Sequence, residues 1–171
     1  MKEIKLSQAI KRKNYALNLV ALVDDEDYDY LNQWTWCADF HRKTCYVHRC
    51  IVVNRKRIKI RMHRLIMGVT DSKILIDHID GNGLNNCKIN LRTCNALGNA
   101  QNRGKDRRKT SSIYKGVHLH KATNKWSAEV RAKGVKRKYL GLFDSEVDAA
   151  IAYNNAAKIH HGEFARLNLI Q

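Results

Sequence analysis

The sequence contains no proline and only 9 glycines among its 171 residues, so its turns must depend on Asn, Asp and these few glycines. Its 5 cysteines are an odd number and form no Cys-x-x-Cys pair. Neither a disulfide framework nor a zinc knuckle is therefore predicted, and ordinary reduced thiols are expected. Long apolar runs and the pattern of a secretory leader are also missing. These absences predict a soluble cytoplasmic protein with no membrane partner.

Acidic residues are scarce beside basic ones. There are 16 Asp and Glu against 32 Lys and Arg, which gives a formal net charge of +16. A charge of this size destabilises a compact chain through self-repulsion. A polyanion relieves it, because each neutralised phosphate releases condensed counterions. Nucleic acid is therefore the expected partner, although charge alone does not distinguish DNA from RNA. No obligate protein partner is evident.

The first region, residues 1–69, is predicted to be rich in strands and to support DNA binding. A short helix or turn is expected at 24–33, and strand-like runs cover 15–23, 34–40, 45–53 and 56–63. In the last run, Arg57, Lys59 and Arg61 alternate with isoleucines, which gives a strand with one basic face. A solvated edge strand has the same pattern, but the overall charge favours contact with nucleic acid.

The second region, 70–103, is rich in Asn and Asp and combines the groups that phosphodiester hydrolysis needs. Such hydrolysis requires a base to activate water and a hard cation to neutralise developing charge. Asp77 offers a carboxylate at the end of a short strand, and His78 is a base with a pKa near neutral pH. Asn99 offers an amide oxygen from a helix predicted over 96–103. Oxygen ligands suit Mg²⁺ or Mn²⁺.

The run from Asp77 to Asn86, followed by Asn90-Leu91-Arg92 and Asn99, resembles the HNH endonuclease motif, especially that of the phage and intron homing type. The resemblance implies a ββα-metal finger of two strands, a loop and a helix around one divalent ion, Mg²⁺ or Mn²⁺. It implies that His78 is the general base and that Asp77 and Asn99 hold the metal. Asn90 would fix the loop and help to orient the histidine.

Two further expectations follow from this resemblance. The side chains of Asp77, His78 and Asn99 should converge in one solvent-accessible pocket beside a phosphate. The segment from Met62 to Ile66 matches the usual His-Arg lead-in, so Arg64 would either reach a phosphate or pair locally. A degenerate, inactive finger is the alternative to an active one.

A polar, basic linker is predicted over 104–111, followed by a third region, 112–171, with its own pattern. Three strands are expected near 113–119, 125–132 and 136–142, and a helix is expected over about 145–160. Ser145 followed by Asp148 is typical of a capping box, and Gly162 ends the helix.

The segments Ser112–Val117, Trp126–Arg131, Tyr139–Glu146, Ala149–Asn154 and Gly162–Asn168 together resemble the Apetala/ethylene-response-factor (ERF) DNA-binding domain. The resemblance implies a three-stranded antiparallel sheet packed on one helix, with the sheet in the major groove of DNA. Several family arginines are replaced, so the target sequence is not carried over. By position, the contacts to DNA would be Lys115, His118, His120, Glu129, Arg131, Arg137 and Tyr139.

The sequence thus predicts an α+β protein with a strand-rich N-terminal region, an HNH finger and an ERF-like domain. The function predicted is metal-dependent cleavage of double-stranded DNA at a recognised site, by a homing-type enzyme of phage or intron origin that is located in the cytoplasm of a phage or bacterial host. One alternative is a sequence-specific DNA-binding regulator with an inactive finger. A second alternative is an RNA-binding protein.

Overall fold

The computed structural model describes residues 1–7, 19–41, 44–105, 110–132 and 135–170. The chain divides into two compact units, Met1–Asn95 and Ala96–Gln171, built of small antiparallel sheets and few helices. The predicted α+β class is confirmed. The division falls inside the segment 70–103, so the helix that was expected to complete the finger is part of the second unit.

The described residues of the first unit form three antiparallel sheets and two short helices. Residues 15–18 of the strand expected at 15–23 lie outside the described residues. The sheets are β1 (Lys2–Lys5) with β2 (Val20–Val23), then β3 (Cys37–His41), β4 (Thr44–Val53) and β5 (Lys56–Arg61) in that order, and β6 (Leu75–His78) with β7 (Leu91–Cys94). The helices are α1 (Asp25–Leu31) and α2 (Met62–Ile66).

Trp36 lies at the centre of the core of the first unit and is fully buried. Its indole Nε1 donates a hydrogen bond of 2.8 Å to the carbonyl oxygen of Leu31, which satisfies the polar atom of an otherwise apolar side chain.

The strand predicted over 56–63 is two residues too long. It ends at Arg61 because Met62 begins α2 and places its side chain in the same core.

The strands β6 and β7 carry the candidate centre of the first unit. Their antiparallel register places Asp77 opposite Arg92 and His78 opposite Leu91. The loop between them contains Gly81 at φ +75°, a conformation that glycine adopts readily. A 3₁₀ turn, Lys88–Asn90, leads into β7.

The second unit is a three-stranded antiparallel sheet packed against one long helix, as predicted. Of the predicted linker, residues 106–109 lie outside the described residues. The sheet has the order β10 (Val135–Phe143), β9 (Lys125–Ala132), β8 (Val117–His120), and the helices are α3 (Ala96–Asn102) and α4 (Glu146–His161), followed by a 3₁₀ turn, Gly162–Phe164.

The helix α4 begins and ends as its sequence indicates. The hydroxyl of Ser145 accepts hydrogen bonds from the backbone of Val147 and Asp148, and Gly162 takes φ +54° at the C-terminus. Small side chains on its inner face allow close approach to the sheet, where Trp126 and Phe143 complete the core. The buried alanines are Ala149, Ala150, Ala156 and Ala157.

The first strand of this sheet starts later than the sequence predicted, and Gly116 is the reason. The strand was predicted near 113–119, but it begins only at Val117, because Gly116 adopts φ +77° in the preceding turn. An added Cβ there would collide with the Tyr153 ring and lie 2.6 Å from the carbonyl oxygen of Glu129.

None of the described helices is both long and apolar enough to cross a membrane.

We expect Gly116→Ala to lower the free energy of unfolding of the protein by roughly 3 kcal/mol, because steric overlap adds to the cost of a positive φ. Gly162→Ala is the matched control. Gly162 also has a positive φ, but no heavy atom lies within 4 Å of its added Cβ, apart from its chain neighbours. The control should lose about 1 kcal/mol. Urea unfolding measures both changes, and equal losses would contradict a steric role for Gly116.

Candidate functional site

Asp77 is joined to Arg92 across the β6–β7 pair. The guanidinium donates from Nε and Nη2 to Oδ2 of Asp77, at 3.1 and 2.8 Å. The two side chains are only 12% and 8% exposed, so this ion pair is shielded from solvent. Arg92 was not among the predicted site residues. The signal that identifies it is the strand register, which places it directly opposite the carboxylate.

His78, the last residue of β6, lies among aromatic rings. Its ring centroid is 5.1 Å from that of His63, at an interplanar angle of 89°, and 5.7 Å from that of Tyr46. Its Nε2 donates to Oδ1 of Asn86 at 3.4 Å. Burial lowers the pKa of His78, although the bond to Asn86 and the nearby acidic groups act in the opposite direction. The imidazole is therefore neutral at pH 7, which is the form that accepts a proton.

His63 is a second buried histidine that the prediction of site residues missed. Burial lowers its pKa to about 3, and the charges of His78, Arg61 and Arg64 act in the same direction. Its Nδ1 is buried without a hydrogen-bond partner among the described residues. The sequence signal for His63 is the His-Arg pair at the start of α2.

Asn90 holds the loop that follows His78. Its Oδ1 accepts from the backbone N–H of Asp80 at 3.0 Å, while its Nδ2 donates to Oδ1 of Asp80 at 3.0 Å and to the carbonyl of Asn85 at 2.8 Å. Its own carbonyl accepts from the backbone of Ile79 at 2.9 Å. The loop is thus fixed at several points by one side chain that is itself buried.

The prediction that Asp77, His78 and Asn99 share a solvent-accessible pocket is wrong for two of them, Asp77 and His78. Asp77 and His78 are only 7% and 4% exposed. The physical reason is that each is covered by its own neighbours, Asp77 by Arg92 and His78 by the rings of Tyr46 and His63. Asn99 is an exposed residue of α3 in the second unit. The metal site formed by Asp77 and Asn99 stays a prediction.

The basic residues proposed for DNA contact in the first unit differ in their surroundings. Arg57 and Lys59 are exposed on the edge strand β5, where Lys59 pairs with Asp39 at 2.6 Å. The guanidinium of Arg61 lies 5.6 Å from the centroid of the Tyr46 ring. Arg64 takes the local alternative, since it donates to the carbonyl oxygens at positions 71 and 74 at 2.6 and 2.8 Å.

The sheet of the second unit presents a polar face away from α4. Side chains alternate along a strand, so Glu129 and Arg131 lie on the face opposite the buried Val130. Tyr139 pairs with Glu129 in the register, and Arg137 binds the carboxylate of Glu129 at 2.8 Å. The same face includes exposed residues of β8 that were predicted to contact DNA, namely His118 and His120.

Lys115 is placed differently from the other residues predicted to contact DNA. It lies in the turn before β8, and its ammonium group donates to the carbonyl oxygen of Gln101 in α3 at 2.5 Å. Burial and three arginines lower its pKa to about 8. The ERF resemblance alone gives no sign of this contact with α3.

Comparison with known proteins finds relatives of two kinds, an HNH endonuclease and ERF-type DNA-binding proteins. The chain is 36% identical over 117 residues to the uncharacterized HNH endonuclease L560 of Acanthamoeba polyphaga mimivirus, which covers 66% of this chain and 59% of that protein. It is 47% identical over 57 residues to dehydration-responsive element-binding protein 2C of Arabidopsis thaliana, which covers 33% of this chain and 16% of that one. The chain is a homologue of an HNH endonuclease and of ERF-type DNA-binding proteins.

A longer match to the second group is with ethylene-responsive transcription factor ERF069 of Arabidopsis thaliana, 34% identical over 89 residues, which covers 50% of this chain and 53% of that protein. The chain therefore spans less than two thirds of the length of each of these relatives. No family model matches the chain. No solved structure matches it either.

Breaking the Asp77–Arg92 pair should destabilise the protein markedly. We expect Arg92→Met to lower the free energy of unfolding by about 3 kcal/mol, because it leaves a buried carboxylate without its counter-charge. The control is Lys59→Met, which breaks the exposed pair with Asp39 and should cost about 0.5 kcal/mol. Urea unfolding, followed through Trp34 and Trp36 in the first unit, compares the two. Similar losses would show that the pair at β6–β7 is no better shielded than a surface pair.

The pH dependence of stability should show the burial of His63. Its pKa is about 3 in the folded state against 6.5 for the free side chain, so the folded protein binds fewer protons between these values. Stability should therefore fall as the pH drops, by roughly 2 kcal/mol between about pH 7 and pH 5. His63→Gln should reduce this fall, whereas His120→Gln, at an exposed position, should leave it unchanged. An identical pH profile for both variants would contradict the assignment.

Proposed function

We propose that this protein is a metal-dependent endonuclease that cuts double-stranded DNA, with His78 as the general base. The observation that carries the proposal is the state of His78. It is a neutral imidazole at the end of β6, one residue after Asp77, at the start of a loop fixed by Asn90. The HNH endonuclease homology supports the same activity.

The metal site of this proposal is a site for a hard divalent cation. Among the described residues, no group of three or more His, Cys, Asp or Glu side chains could hold a metal. The proposed site therefore depends on the carboxylate of Asp77 and the amide oxygen of Asn99, which are oxygen donors that suit Mg²⁺ or Mn²⁺. The ion, when bound, would neutralise the charge that develops on the phosphate. Arg92 is paired with Asp77, so a cation bound at this carboxylate would compete with Arg92 for it.

Access to His78 is the main requirement of this mechanism. The residue itself is buried, but residues 79–82, which follow it directly, are all exposed. The side chain of Asn90 holds this loop in place through two hydrogen bonds with Asp80. We infer that DNA meets the exposed loop first, and that the loop must shift before the imidazole can reach water beside a phosphate.

The second unit supplies DNA affinity in this proposal. Its sheet presents Arg131, Arg137 and Tyr139 on a face away from the helix, and the homology to ERF-type DNA-binding proteins supports duplex DNA as the partner. Phosphate contacts of this kind increase the effective concentration of the nuclease centre near its substrate. The homing type and a phage origin remain predictions from the motif.

A DNA-binding regulator with an inactive finger is the second candidate. The burial of Asp77 and His78 favours it, because a nuclease centre must reach a phosphate. Both candidates predict DNA binding, but only the nuclease predicts cleavage. Incubation of plasmid DNA with the full chain and Mg²⁺ or Mn²⁺ separates them. Bound but uncut plasmid would establish the regulator, and preferential binding of duplex RNA in competition would refute both.

We expect His78→Ala to lower the cleavage rate by at least about 100-fold while duplex binding is retained, because the variant lacks the proton acceptor. His160→Ala is the control, because His160 is neither in the proposed nuclease centre nor among the residues proposed to contact DNA. This variant should cut like the unmodified protein. Since His78 is buried, near-ultraviolet circular dichroism should accompany the rate measurement, and His78→Gln provides a variant of similar polarity. A folded His78→Gln protein that cuts at the unmodified rate would remove His78 from the mechanism.

A further inference from the structure

A cavity of about 390 Å³ lies within the second unit. It is bounded by the C-terminal part of α3, the turn before β8, the middle of β9 and the inner face of α4. Its volume falls in the range of small-molecule sites, roughly 300–1,000 Å³. The polar and charged residues that line it include Arg103, Lys115, Glu129, Arg131, Tyr153 and His161.

The cavity carries an excess of positive charge. Glu129 is its only acidic lining residue in the part of the chain that the structure describes, and its carboxylate is already bound by Arg137 at 2.8 Å. No described carboxylate pairs with Lys115 or Arg131. Burial is the largest cause that lowers the pKa of Lys115 to about 8, and repulsion by the nearby Arg166, Arg131 and Arg103 acts in the same direction. An anion in this cavity would relieve that repulsion.

Two buried polar atoms of the cavity lining are without a partner. The hydroxyl of Tyr153 and the Nδ1 of His161 have no hydrogen-bond partner among the described residues, and the two side chains are only 2% and 6% exposed. A buried polar group in this state is destabilising unless something else binds it. Two such atoms at one cavity point to a ligand.

The unsatisfied atoms also indicate the kind of ligand. Nε2 of His161 donates to the carbonyl oxygen of Arg131 at 2.6 Å, so its neutral ring carries a lone pair on Nδ1, which accepts a hydrogen bond. The Tyr153 hydroxyl can donate to an anion. The ligand should therefore combine an anionic acceptor with a hydroxyl or amino donor, as a nucleotide does.

We propose that this cavity binds the phosphate group of a nucleotide-sized phosphate ester, held by Lys115 and the Tyr153 hydroxyl, with His161 accepting a hydrogen bond from the same ligand. The phosphate can belong to a free nucleotide or to DNA. All of its lining residues lie in the second unit, and none of the proposed nuclease residues Asp77, His78 and Asn99 is among them.

The test is calorimetric titration of the full chain with a deoxynucleoside monophosphate, and with inorganic phosphate, at constant ionic strength. We expect saturable nucleotide binding, weaker binding of inorganic phosphate, and a loss of at least about tenfold in nucleotide affinity for Tyr153→Phe and Lys115→Met. Lys158→Met, at an exposed lysine of α4 outside the cavity, is the control and should bind normally. Tyr153→Phe should fold, because it removes only a hydroxyl that has no partner.

Duplex DNA distinguishes the two sources of phosphate. Tyr153 is not among the residues proposed to contact DNA on the sheet, so its hydroxyl reports on the cavity alone. Weaker duplex binding by Tyr153→Phe, relative to Lys158→Met, would assign the phosphate to DNA, and an effect confined to the nucleotide would assign it to a free ligand. If Tyr153→Phe changes neither, the proposal is overturned. Failure of DNA cleavage would leave these measurements unaffected.

Discussion

The ion pair between Asp77 and Arg92 joins the two strands on which the candidate centre depends. Each partner is almost fully shielded, so either charge alone would be costly to bury, and the pair favours the single register in which the two face each other. That register directs the next side chain, His78, to the opposite face of the strand pair, against Tyr46 and His63. The register that contains this shielded charge pair thus places both the carboxylate and the imidazole.

The basic side chains of the two units differ in their surroundings. In the first unit, Lys59 and Arg64 are engaged by nearby acceptors, and the candidate centre is kept electrically balanced by Arg92. In the second unit, basic side chains line a cavity and share one face of a sheet, with Glu129 as a nearby acid. Since unrelieved positive charge is tolerated where a polyanion or phosphate binds, the second unit is better suited than the first to hold a partner of that kind.

Much of the fold was predictable because its signals are local. The capping of α4 by Ser145, its end at Gly162 and the three strands before it follow from residue types at fixed spacing. The errors arose where a distant contact overrides the local pattern. Met62 leaves the strand pattern because the core takes its side chain, and Gly116 delays β8 because Tyr153 occupies the space above it.

The sequence by itself determined the α+β class, the basic character of the protein and the order of Asp77, His78, Asn90 and Asn99 along the chain. These properties depend on composition and short-range spacing, which need no knowledge of long-range contacts. Only the tertiary structure decided that Asp77 is paired with Arg92, that His63 lies against His78, and that Lys115 and Tyr153 border one cavity. Burial and the cost of unpaired polar groups depend on residues far apart in the chain, which are neighbours only after folding.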